Sequence, residues 1–335
     1  MKIYEDYSAT YPDALNYYWN LSKYSSDDSK NALFMGWAYM DRLPAHMNTI
    51  VQYKNRIHLN NEHPCNFQTT DQNAISLSLD SNRIFNTVYT LCPYTADWIN
   101  FLEQGDRFKY IFTPFNNDYV VDQVEEKEWD ALYWGGMHGL DHKDIIDSIK
   151  DYNYNFLTVG PQTWSLWWSK DRWTGFEGPF PQPDLYASYI TGINIKRTLM
   201  WQLLRKTRVN VMANLLYTDK KINNNVRQHD HWEKNKAFGN LDQFIMPQIK
   251  SRPIETAVNR CLMVVKKDPW NIQEDFFEPD KEFIYYNDKK ELHSILEDVK
   301  INWKNYEQIV ENAFNKAVNN YSTEHFVEKI KKECL

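Results

Sequence analysis

Ala131-Leu132-Tyr133-Trp134-Gly135-Gly136-Met137-His138-Gly139 lies near the middle of the chain, and Asp141 to Ile149 follows it. An apolar run without alternation suits a strand covered on both faces. The glycines that end it mark a tight turn. Asp141, with Ile145, Ile146 and Ile149 behind it at helical spacing, reads as the start of a helix. Strand, glycine turn and helix in succession open a βαβ unit. Similar runs recur on both sides: Ala32 to Met35, Arg56 to Leu59, Val88 to Leu91, Tyr110 to Phe112, Phe156 to Val159, Val209 to Ala213, Leu262 to Val265 and Phe283 to Tyr286. The stretches between them leave room for helices, with Ile195 to Leu204 and Leu292 to Val299 the clearest. The alternation predicts an α/β protein of the doubly wound type, built on parallel sheets.

The pattern breaks between Pro114 and Trp129. Pro114, Asn116 and Asn117 mark a turn, and Glu125-Glu126-Lys127-Glu128 reads as a solvated charge run. Two Rossmann-like domains are therefore expected, 1–118 and 130–320, with a linker at 119–129. The chain of 335 residues is about twice the ~150-residue norm for one domain, which agrees. Trp303, Tyr306, Val310, Ala313 and Ala317 form one face of a closing amphipathic helix. Ser322 is a suitable N-cap for a last helix over 321–335, expected to pack back on the N-terminal domain.

Composition excludes several classes. Lys and Arg number 38 against 45 Asp and Glu, a net charge of -7, which argues against affinity dominated by phosphate neutralisation. Thirteen Trp and 22 Tyr exclude a disordered chain. Cys65, Cys92, Cys261 and Cys334 form no C-x-x-C pair and read as reduced thiols. No apolar stretch approaches the ~20 residues that span a bilayer, so a soluble, cytoplasmic chain is expected.

In open parallel sheets ligands bind beyond the carboxyl ends of the strands. Gly135, Gly136 and His138 occupy such a loop, where small residues let backbone N–H groups approach an anion. A second candidate is Lys250-Ser251-Arg252-Pro253-Ile254-Glu255. Pro253 suits the first turn of a helix, which places Lys250 and Arg252 to meet a diphosphate and Glu255 to accept ribose hydroxyls. The same residues would also serve as a capping carboxylate beside two surface cations.

From Gln248 to Lys329 the sequence resembles the C-terminal domain of group 1 glycosyltransferases of the CgeB-like type. The resemblance rests on Lys250 to Glu255, Lys266-Lys267-Asp268-Pro269-Trp270-Asn271, Asp275 to Tyr286, and Asn319-Asn320-Tyr321-Ser322-Thr323-Glu324-His325-Phe326. It implies the GT-B arrangement, two Rossmann-like domains facing across a cleft, with a nucleotide sugar held mainly by the second. It implies no bound metal and no cofactor beyond a co-substrate such as a UDP- or GDP-sugar. Arg252 would stabilise the diphosphate, Glu255 would hold the ribose, and Pro269, Trp270 and Asn271 would set backbone donors beside the phosphates or the sugar. Two departures stand out. Many retaining relatives carry two glutamates eight positions apart, and Glu255 has Met263 at that offset. The glycine frequent at the end of this helix is replaced by Asn259-Arg260, where Asn259 suits a left-handed turn. The pattern is compatible with retention and with inversion.

The N-terminal half must serve the acceptor. Glu62 and His63 follow a strand and suit a base that takes the acceptor proton, or a hydrogen-bonded turn before Pro64. Tyr94 and Asn116 lie at later strand ends and are lesser acceptor candidates. The stretch from Trp164 to Tyr189 reads as an aromatic insertion whose Trp168 and Trp173 would stack on sugar faces, or else as an aromatic plug or a contact in a homodimer. Lys196, Arg197, Arg205, Lys206 and Arg208 form a basic stretch that reads as a solvated helix face and keeps a DNA acceptor open beside a glycan or small molecule. His229-Asp230-His231 reads as a polar loop, not as metal ligands. A binding protein that retained the fold and lost the chemistry is the reading from another class.

Overall fold

The structure, a computed structural model, describes residues 1–5, 19–35, 43–60, 83–91, 93–134, 145, 156–160, 190–193, 197–217, 245–247, 249 and 251–335. The N-terminal sheet contains β1 (Lys2–Glu5), β2 (Asn31–Met35), β3 (Asn55–Asn60), β4 (Thr87–Thr90) and β5 (Phe108–Tyr110). All four pairings are parallel, and the strands lie in chain order, 1-2-3-4-5. Helix α1 (Leu43–Val51) links β2 to β3, and α2 (Pro93–Glu103) links β4 to β5.

The C-terminal sheet begins with β6 (Trp129–Trp134), β7 (Phe156–Gly160) and β8 (Ile190–Ile193). Helix α3 (Arg197–Arg205) then leads to β9 (Thr207–Met212). A short antiparallel pair follows, β10 (Leu215–Tyr217) with β11 (Ile245–Pro247). Helix α4 (Arg252–Val258), β12 (Leu262–Lys266) and β13 (Ile284–Tyr286) complete the sheet. Its spatial order is β13-β12-β9-β6-β7-β8, every pairing parallel. Counted within this domain, the dinucleotide-fold order appears, with its reversal between β6 and β9. The reversal of order thus lies in the second sheet, while the described strands of the first sheet follow one another in chain order.

Helices α5 (Lys289–Ile301), α6 (Glu307–Asn320) and α7 (Thr323–Cys334) close the chain. The amphipathic segment read from Trp303 is divided, since Trp303–Asn305 forms a 3-10 turn before α6. Ser322 caps α7 by accepting from the His325 N–H at 3.3 Å. Phe115 and Tyr321 to Thr323 pair in the crossover, with Thr323 N–H donating to Phe115 O at 2.8 Å. At its far end α7 reaches the N-terminal sheet, where Tyr89 Oη donates to Glu333 Oε2 at 2.6 Å. Phe326, Val327 and Ile330 of α7 are buried in one apolar cluster with Leu33, Met35, Ile57 and Leu59. The same cluster takes in Ile254, Ala257, Met263 and Val265, so a single core joins the two sheets.

The charge run at Glu125 to Glu128 is not simply solvated. Arg205 meets Glu125 at 2.6 Å, Lys206 meets Glu128 at 2.7 Å, and Arg208 meets Asp130 at 2.8 Å. The acidic linker is the electrostatic counterpart of the basic stretch, which sequence proximity alone did not show. Of the thiols, Cys261 is buried and Cys334 is half-buried, both unbridged. No helix is long and apolar enough to cross a membrane among the described residues.

Candidate active site

The crevice between β6 and β9, where strand order reverses, is the place to build from. Tyr133 stands on β6 one residue before its end and is fully buried. Burial pushes its hydroxyl up to about 12, and the neighbouring Arg252 guanidinium, which hydrogen-bonds it, draws the value partly back. Arg252 is the first residue of α4, half-buried, with Pro253 behind it in the first turn. The Arg252 carbonyl accepts from Thr256 Oγ1 at 2.6 Å, and Thr256 Oγ1 accepts from Asn210 Nδ2 of β9 at 2.7 Å. Both strands that flank the crevice therefore hold the start of α4. Tyr133 fixes its cation and Asn210 its backbone.

Glu255 lies one turn further on, 2% exposed. Ser251 O accepts its N–H at 2.8 Å, and Asn259 Nδ2 donates to its carbonyl at 2.7 Å. Met263, at the eight-residue offset, is a buried strand residue, and the corresponding position before Glu255 is Pro247. Neither direction supplies a second acid.

The loop after β12 changes the reading of Pro269, Trp270 and Asn271. Asp268 is 3% exposed and accepts from Trp270 N–H at 2.9 Å and Ile272 N–H at 3.4 Å through Oδ1. Asn271 N–H donates to the Asp268 carbonyl at 3.2 Å, with Asn271 in the left-handed region at φ 52°. Proline has no N–H, so the backbone donors expected from this loop are committed within it. Burial raises the Asp268 carboxyl to about 6, and the three backbone amides offset part of that rise. The loop is pinned to the end of β9 by Asn214 Nδ2, which donates to Gln273 Oε1 at 2.7 Å.

On the acceptor side, β1 ends at Glu5, whose carboxyl is raised to about 7 by burial. Sequence reasoning missed it because a lone Glu ending a short polar strand carries no local signal. Asn116 is buried at 7% exposure and uses Oδ1 to accept from Asp118 N–H at 3.1 Å, capping a 3-10 turn of the crossover. Its Oδ1 is thus engaged in the turn. Tyr94 is the second residue of α2, the helix that follows β4. Glu62, His63, Gly135, Gly136, His138, Trp168, Trp173, Lys250 and the His229-Asp230-His231 loop lie outside the described residues. β3 and β6 end at Asn60 and Trp134, immediately ahead of the first five of these.

A family model described as glycosyl transferase-like matches residues 142–332, more than half of the chain. The chain belongs to this glycosyl transferase-like family. No curated protein matches it in sequence. Among solved structures it is similar to Anabaena Alr3699/HepE in complex with UDP and glucose, at 10% identity and a TM-score of 0.57 over 90% of this chain and 77% of that one. Sucrose-phosphate synthase from Thermosynechococcus elongatus gives 8%, 0.58, 90% and 72% in the same terms. A point variant of S. aureus TarM, in complex with fondaparinux, alpha-GlcNAc-glycerol and UDP, gives 12%, 0.55, 93% and 57%. At such identities the likeness concerns the fold, which is GT-B with two Rossmann-like domains.

Proposed function

We propose that this glycosyl transferase-like chain moves a sugar from a nucleoside-diphosphate sugar, with UDP the first nucleotide to test, to an acceptor hydroxyl without a bound metal. The acceptor oxygen attacks the anomeric carbon, and the bond from that carbon to the diphosphate oxygen breaks. The nucleoside diphosphate leaves with the bonding electrons, and the acceptor's hydroxyl proton passes to a base, for which Glu62 or His63 is the candidate. The carrying observation is Arg252, held by Tyr133 at the carboxyl end of β6 in the crevice where strand order reverses. A fixed cation there offsets charge as it develops on the leaving group. Gly135, Gly136, His138 and Lys250 would complete the anion site, and Glu255 would face the ribose. UDP in the HepE and TarM complexes supports the nucleotide assignment.

A glycan or small-molecule acceptor is favoured over DNA, because Arg205, Lys206 and Arg208 are already paired with Glu125, Glu128 and Asp130. The case for a fold that lost its chemistry also weakens, since Arg260 itself adopts the left-handed turn that glycine would have supplied. A thermal-shift screen of UDP, GDP, CDP, dTDP and their sugars tests the reading. A donor at about 100 times its Kd adds about 2.7 kcal/mol, and absence of any shift across the panel would refute it.

A further inference from the structure

The two ends of α4 have different neighbours. Arg252 meets Tyr133 near the carboxyl end of β6, and the last turn runs into the interdomain linker. Cys261 N–H donates to Thr256 O at 3.2 Å and Arg260 N–H to Ala257 O at 3.0 Å, the double bond of a Schellman closure. The left-handed residue of that closure is Arg260, at φ 50°, not Asn259 as the sequence suggested. A side chain in a position that suits glycine is explained by what it reaches. Arg260 Nη1 donates to Val121 O at 2.7 Å, Nε donates to Glu311 Oε1 of α6 at 2.7 Å, and the guanidinium lies 3.4 Å from the Phe314 ring centroid. Lys127 Nζ adds a second fastening, donating to Arg260 O at 2.7 Å and to Arg205 O, at the end of α3, at 2.6 Å. Arg205 in turn donates to Glu125 Oε1 and, at 3.2 Å, to Asn259 Oδ1. At ~1.5 Å per residue, α4 sets this fastening about 10 Å from Arg252.

We propose that Arg260 is a positioning residue that holds the interdomain linker to the end of α4, so that nucleoside diphosphate at the Arg252 end and order in the linker are coupled. The coupling rests on the donor reading above; the fastening does not. Nucleotide and linker order must then favour each other by the same factor.

The test is backbone hydrogen exchange over 119–129 in the full chain, as wild type and as Arg260→Gly, with and without UDP. Glycine keeps the positive φ without strain while removing all three side-chain ties, and a thermal melt verifies that the variant folds. Val120, Glu128 and Trp129 supply hydrogen-bonded amides to follow, at 3.1, 2.8 and 3.0 Å. The expected result is exchange about tenfold faster in the ligand-free variant, as a lost local tie allows. UDP should slow linker exchange about fivefold in the wild type only, and the variant should bind UDP about fivefold more weakly. Equal ligand-free exchange in the two proteins would overturn the fastening, whatever nucleotide does. A wild type that binds UDP with unchanged linker exchange would overturn the coupling. Failure of every nucleotide to bind would defeat the donor reading and the coupling with it, while the ligand-free comparison would still judge the fastening.

Discussion

Asp268 gives the sharpest quantitative test of the donor-side loop. Its Oδ1 accepts two backbone amides, while Oδ2 is buried without a hydrogen-bond partner among the described residues. Burial lifts the carboxyl from an ordinary 3.8 to about 6 in the folded protein. The folded state therefore holds its proton more tightly than the unfolded chain. That stabilisation is complete below about pH 4 and is lost as pH rises through about 6. At about 1.36 kcal/mol per pKa unit the full effect is roughly 3 kcal/mol, of which about 1.4 kcal/mol disappears between about pH 5 and about pH 8. Asp268→Asn keeps the Oδ1 acceptor and removes the ionisation. Its own amide is left buried without a partner at every pH, so the double difference is the proper reading. Urea unfolding of both proteins at about pH 5 and about pH 8 should show the variant gaining about 1.4 kcal/mol on the wild type across that interval. Parallel behaviour of the two proteins would mean that Asp268 ionises as a solvated carboxylate does, and the buried-loop account would be wrong.

Three further outcomes are expected. Arg252→Ala should lower sugar-transfer turnover by ~100-fold or more, read in steady-state kinetics, and unchanged kinetics would remove the residue from the mechanism. Tyr133→Phe should lower turnover about tenfold through a misplaced guanidinium, with stability reduced by about 1 kcal/mol in thermal melts; activity at the wild-type level would show that Arg252 needs no phenol to hold it. Burial lowers the Lys127 ammonium from 10.5 to about 8, so between those values the unfolded chain binds more protons and stability should rise with pH. Lys127→Met should abolish that rise in melts taken from about pH 8 to about pH 9, where few tyrosines of ordinary value about 10 ionise.

Most strands were legible because a buried parallel strand must be apolar along its whole length. Ala32 to Met35 and Leu262 to Val265 announce themselves in this way. β1 did not, since an edge strand reading Lys2-Ile3-Tyr4-Glu5 buries only Ile3 fully. The pairing of β10 with β11 joins residues about thirty apart and leaves no local trace. Arg252 was legible from the proline that follows it in a first turn, whereas Tyr133 read only as strand. Its role comes from a contact more than a hundred residues away in the chain. Asp268 was quoted as part of a motif, yet its buried environment is set by packing that periodicity does not encode. The linker charges were misread for the same reason, because Glu125 and Arg205 are 80 residues apart.

Magnitudes also decide which part of α4 does the electrostatic work. A helix end offers at most about half a unit charge, and that value belongs to helices of several turns. α4 has seven residues, under two turns, and Ser251 makes no side-chain cap at its start. A departing nucleoside diphosphate gains a full negative charge as the glycosidic bond breaks. The helix end alone cannot match that gain, while a fixed guanidinium brings a whole charge and two parallel N–H donors. This explains why both strands flanking the crevice are spent on holding the start of α4. Asn210 secures the backbone through Thr256, and Tyr133 secures the cation. Arg252→Lys would keep the charge and lose the fork, so its residual turnover relative to Arg252→Ala separates the two contributions. Near-equal losses in the two variants would assign the effect to geometry, and a large recovery with lysine would assign it to charge.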